Sequence, residues 1–107
     1  MVLELPSNPT LAEVQRYVSE LERQRGFSNE TALQKCLLLG EEIGELFKAV
    51  RKMEKTIKID PTSKVGSVKE ELADILIYLC AIANKYDLDL EEAFREKEIK
   101  NKARVWV

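Results

Sequence analysis

The stretch "LLLGEEIGELFKAV", Leu37 to Val50, decides the fold. It is strongly apolar yet carries Glu41, Glu42 and Glu45. Around it, Ala32, Cys36, Leu39, Ile43, Leu46, Val50 and Met53 recur in alternating steps of four and three. That spacing predicts the packing seam of a long bundle helix beginning near Asn29, and Ile57 extends it. Further on, "VKEELADILIYLCAIA", Val68 to Ala83, repeats the design. Its seam is Val68, Leu72, Ile75, Leu79, Ile82 and Tyr86, with Glu70, Glu71 and Asp74 alongside. From Leu72 to Ala83 the only charged residue is Asp74, so this helix is expected to be central.

Outward from these two helices, the start and stop signals give two more. Thr10 and Glu13 form a T-x-x-E capping box ahead of Leu11, Val14, Val18 and Leu21, and Gly26 is the stop. Ser67 and Glu70 form a second box. Asp89 and Glu92 open a shorter closing helix, "LEEAFREKEIKNKAR". Asp60-Pro61 and Gly66 mark the loop between the long helices. No strand or hairpin signal appears. The expectation is an all-α, four-helix bundle-like unit: one domain over residues 1–107, with 1–9 an irregular lead-in.

The chain has 107 residues, which suits one domain with a modest core. Its formal net charge of −2 argues against binding a nucleic-acid polymer. No apolar run reaches membrane-spanning length and no signal peptide is read, so a cytoplasmic protein without membrane contact is expected. Cys36 and Cys80 lack C-x-x-C spacing and read as reduced, buried thiols. The absence of histidine excludes Ser-His-Asp and Cys-His catalysis, H-E-x-x-H zinc sites and the Glu-x-x-His di-iron motif.

The acids fall on stripes. Glu42 and Glu45 lie about 60° apart on the helical wheel, in line with Leu38 and Ala49. Glu71 and Asp74 continue to Tyr78 and Ala81 in the same way. If the two helices pack antiparallel, four carboxylates can converge. A solvated acidic face is the alternative reading. Against it, Glu41–Glu45, Glu42–Glu45, Glu70–Asp74 and Glu71–Asp74 are like-charge neighbours, each costing a few tenths of a kcal/mol, about 0.2–0.5. A cation would remove that cost. All-oxygen ligation without histidine or paired cysteine favours Mg²⁺ or Mn²⁺.

"EEIGE" followed by "EELAD" resembles the E-E-x-x-E … E-x-x-D signature of the MazG-like, all-α nucleoside triphosphate pyrophosphohydrolases. "PTLAEVQRYVSELERQRGF" is similar to that family's first helix, and "DLDLEEAFREKEIKNKAR" to its closing segment, with Lys97, Lys100, Asn101 and Arg104 spaced K-x-x-K-N-x-x-R. The resemblance implies a Mg²⁺-dependent hydrolase, with Mn²⁺ as a substitute, that converts (d)NTPs to (d)NMP and pyrophosphate. It implies Glu42, Glu45, Glu71 and Asp74 as metal ligands. Glu41 matches the first acid of the doublet, as a further ligand or water-orienting base beside Glu42, or else as a solvated residue. Lys97, Lys100, Asn101 and Arg104 are the expected phosphate-binding set. Glu70 is explained by its box with Ser67, and Trp106 is assigned to packing or base stacking. The resemblance also points to a homo-oligomer, at least a dimer with a tetramer favoured. Off-seam Leu33, Leu37, Phe47, Ile77, Tyr78 and Ala81 need cover that 107 residues do not supply. The alternative function is a non-catalytic oligomerisation or nucleotide-sensing module on the same fold.

Overall fold

The computed structural model describes residues 3–55, 57–58, 60–64 and 66–106. Among these the secondary structure is helical throughout: α1 (Leu11–Arg25), α2 (Ala32–Glu54), α3 (Val68–Lys85) and α4 (Leu90–Lys102). The chain is all-α, as its periodicity predicts.

Each helix starts where a short polar side chain satisfies free amides. Glu13 N–H donates to Thr10 Oγ1 at 3.1 Å, and Thr10 N–H donates back to Glu13 Oε1 at 3.0 Å. Gly26 closes α1 at φ 79°, a left-handed position that glycine adopts without a Cβ penalty. Helix α2 starts three residues beyond the expected Asn29, at Ala32, where Thr31 and Gln34 form the reciprocal box. That helix stops at Glu54, so Ile57 lies outside it. Ser67 Oγ accepts from Glu70 N–H ahead of α3, and Asp89 Oδ1 from Glu92 N–H ahead of α4. The last helix ends at Lys102, two residues short of the expected Arg104.

The chain forms two compact units, one of residues up to Asn29 with those from Cys80 onward, the other Glu30–Leu79. In the first, Val18, Leu21, Cys80, Ala81 and Ala83 are buried. A polar clasp joins its helices. Gln15 Nε2 donates to Leu88 O at 2.8 Å and to Asn84 Oδ1 at 3.3 Å. Leu90 N–H donates to Gln15 Oε1, and Asn84 Nδ2 donates to Gln15 O. The buried amide therefore ties α1 to the end of α3 and the start of α4.

The second unit corrects the expected seam. On α2, Cys36, Ile43, Val50 and Met53 are exposed, and the buried positions are Lys35 and Ala49. Leu38, Glu42 and Glu45 are half-buried. The face turned inward within one chain is thus the acid-bearing stripe. Likewise on α3, Glu71 is buried while Leu72 and Leu79 of the expected seam are exposed. Of the two thiols, both free, only Cys80 is buried. Ala81, expected to need outside cover, is already buried.

Candidate metal and nucleotide site

Helices α2 and α3 bring Glu42, Glu71 and Asp74 together, with one carboxylate oxygen from each lying within 4.8 Å of the others. The site lies wholly inside the second unit. Glu71 is 6% exposed, and its Oε2 has no hydrogen-bond partner. A buried carboxylate oxygen without a donor is costly unless a cation or proton meets it.

The electrostatics record the same strain. Desolvation, then contact with the Glu71 carboxyl, then the charges of Asp74, Glu71 and Glu45 push Glu42 up to about 7. Glu45 thus acts on the group, although it is not one of the three converging acids. Burial and the Glu42 charge also raise the Tyr78 phenol, one turn beyond Asp74. Glu41 is exposed, beside Glu42 in the sequence.

Two features of this unit were not legible in the sequence. Gly66 reads there only as a loop marker. A Cβ at that position would meet Glu71 Oε1 at 2.5 Å, so a side chain there would displace the carboxylate. Lys35, on which the sequence reading is silent, is 2% exposed and pairs with Glu30 Oε1 at 2.7 Å. The signal was available: Lys35 lies seven residues before Glu42, on the same stripe. A cleft of about 430 Å³, lined by Ala49, Lys52, Met53, Lys55, Gly66, Ser67 and Val68, opens on the Gly66 side of Glu71.

Lys97, Lys100, Asn101 and Arg104 belong to the first unit. The first three are on α4; Arg104 follows its end, with its guanidinium 4.9 Å from the centre of the Trp106 ring. Trp106 is 71% exposed within one chain. Glu70 caps α3 with Ser67, as read.

The donor set fits a hard divalent cation: converging carboxylates, one of them buried with an unmet oxygen, and no soft ligand. Residues 27–105 match the MazG nucleotide pyrophosphohydrolase domain. The chain belongs to that family. This MazG domain is 32% identical over 100 residues to dCTP pyrophosphatase 1 of Mus musculus, an alignment covering 90% of this chain and 59% of the mouse protein. It is 38% identical over 84 residues to the uncharacterized protein YpjD of Bacillus subtilis (strain 168), covering 77% of this chain and 70% of that one. Among solved structures, N-tagged iMazG from Vibrio DAT 722 superposes with a TM-score of 0.63 at 32% identity, covering 90% of this chain and 97% of that one. The C-tagged form gives 0.62 at 34% identity, covering 88% and 99%.

Proposed function

We propose that this MazG domain hydrolyses nucleoside triphosphates, ribo- or deoxyribo-, to the monophosphate and pyrophosphate, in housecleaning or control of nucleotide pools. In this reading residues 1–107 work as one catalytic domain in the cytoplasm, in a homo-oligomer. Glu42, Glu45, Glu71 and Asp74 hold Mg²⁺, for which Mn²⁺ can substitute. The observation that carries it is the buried Glu71 carboxylate, whose Oε2 lacks a donor while two more acids lie within 4.8 Å. When bound, the metal offsets the charge of acids and phosphates and makes water a competent nucleophile at neutral pH.

The chain's own side chains do the positioning. Gly66 leaves the room that the Glu71 carboxylate occupies. Glu42, ionised once a cation offsets its acidic neighbours, can take a proton from the attacking water, and Glu41 beside it can orient that water. Lys97, Lys100, Asn101 and Arg104 supply charge and hydrogen bonds to the phosphates, and Lys52 and Lys55 add cations in the cleft beside Gly66. Water attacks the α-phosphorus, the α–β anhydride bond breaks, and pyrophosphate leaves with the bond's electron pair. The dCTP named in the mouse relative makes a deoxycytidine nucleotide the first substrate to assay.

The test is purified protein against a panel of NTPs and dNTPs, with Mg²⁺ and with EDTA. Metal-dependent pyrophosphate release is expected. In ¹⁸O-water the label belongs in the monophosphate; label confined to pyrophosphate would place the attack at the β-phosphorus instead. No turnover of any nucleotide would favour the silent oligomerisation or sensing module.

A further inference from the structure

Helix α4 carries a second feature that the proposed chemistry does not use. With Leu11 of α1, its residues Glu91, Phe94, Arg95, Glu98, Ile99 and Lys102 line a groove of about 500 Å³. The groove lies within the first unit. Phe94 is 71% exposed and Ile99 70%. Among the described residues nothing in the chain covers them.

The order of charges on this face identifies an occupant. Glu91, Arg95, Glu98 and Lys102 fall within roughly 60° of one another on the helical wheel, forming a single charged seam. Phe94 borders that seam on one side and Ile99 on the other, each roughly 70° from its centre. Reading acid against base, Glu91 matches Lys102 and Arg95 matches Glu98. Both matches share one midpoint, between Glu96 and Lys97. Phe94 and Ile99 are centred on that same point. A seam with this symmetry is its own complement when the helix is reversed. Set antiparallel about a two-fold axis at that midpoint, Glu91 of one copy is level with Lys102 of the other, and Arg95 with Glu98. Two-fold symmetry then repeats both ion pairs. A parallel pairing would set Glu91 against Glu91 and Arg95 against Arg95, which like-charge repulsion disfavours.

We infer that the α1–α4 groove is a self-docking surface, taken by the α4 helix of a second copy running antiparallel. Arg95 Nε already holds Glu91 Oε2 at 2.9 Å, so its guanidinium is oriented along the seam, with nitrogens remaining for a second carboxylate. The flanking Phe94 and Ile99 rails lose water on contact and shield the ion pairs between them. Lys97 and Lys100 lie on the far side of the helix, roughly 130° and 170° from the centre of the seam, so docking leaves them free. The inference stands independently of the hydrolase reading, because the groove contains none of the residues assigned to catalysis.

Charge exchange tests it. Self-association is measured by sedimentation equilibrium for the full chain and for Arg95→Glu, Glu98→Arg and the double exchange Arg95→Glu/Glu98→Arg. Each single exchange places like charges opposite each other and weakens association by at least about tenfold at low salt. The double exchange restores opposite charges and returns association to within about threefold of the parent. Circular dichroism with parental helicity verifies that the exposed positions have not altered folding. Singles that leave the association unchanged overturn the inference, as does a double no better than either single. A groove that takes a small apolar molecule or a foreign peptide gives the first of those results.

Discussion

Glu71 is the residue on which stability and the proposed activity pull in opposite directions. Its buried Oε2 has no donor, and Glu42 and Asp74 crowd it with like charge. Glu71→Gln removes the charge while keeping the shape. In EDTA this variant is expected to melt higher than the parent by about 4–8 °C, the shift that roughly 1 kcal/mol gives in a domain of this size. It should also lose the rise in melting temperature that Mg²⁺ gives the parent, and turn over no nucleotide. Calorimetry with and without metal, beside a pyrophosphate assay, reads all three. A second expectation follows from Glu42, whose carboxyl is raised from its ordinary 4.5 to about 7. Between those values the native state binds more protons than the unfolded chain. Glu42's contribution to stability therefore falls as pH rises from about 4.5 to about 7. Metal-free melting temperatures of the parent should decline across that window relative to Glu42→Gln. Saturating Mg²⁺ should flatten the difference above pH 7, where the cation meets the ionised group. A difference between parent and variant that stays constant with pH would contradict the assignment.

At the scale of the helices, what was legible followed from how local the deciding interaction is. T-x-x-E at Thr10, S-x-x-E at Ser67 and Asp89 with Glu92 were readable because a cap involves residues three apart. The start of α2 was placed too early because its box uses Gln34 rather than a glutamate. Glu42, Glu71 and Asp74 could be paired because period and charge coincide on two helices. The clasp around Gln15 was out of reach, since its partners lie 69 to 75 residues away. The inward face of α2 was misread for a different reason. Alternating apolar steps mark a face that is buried somewhere, without saying whether the chain itself or another copy buries it. Two substitutions test the elements. Gln15→Ala leaves Leu90 N–H, Leu88 O and Asn84 Oδ1 without their Gln15 side-chain partner and is expected to cost roughly 2–3 kcal/mol. Thr31→Ala removes one exposed cap and is expected to cost about 1 kcal/mol. Denaturant unfolding gives both, and the larger loss should fall on Gln15.

For the whole molecule, the question is what lies against the faces one chain leaves open. On α2, Leu33, Leu37 and Phe47 are 70%, 64% and 68% exposed. Met53 of the seam is 68% exposed, and on α3 Leu72 and Leu79 are 53% and 43%. Scattered apolar residues on a surface are ordinary, but Leu33, Leu37 and Phe47 fall within roughly 80° of one another on the α2 wheel, an exposed apolar face of a kind that monomers rarely display. In the proposed assembly the long helices and α4 make two separate contacts. Either two-fold contact alone stops at a dimer, and the two together close into a tetramer when their axes meet at right angles. The two should accordingly fail separately. Phe47→Glu on α2 is expected to remove the long-helix contact while leaving dimers joined through α4. Arg95→Glu is expected to leave dimers joined through the long helices. Combining them should give single chains. Light scattering at micromolar concentration distinguishes these species by mass. Activity measured on the same fractions then tells whether a second chain contributes to turnover. A fully active parental protein at the mass of one chain would rule out the assembly and leave the exposed leucines and Phe47 to be covered by something else.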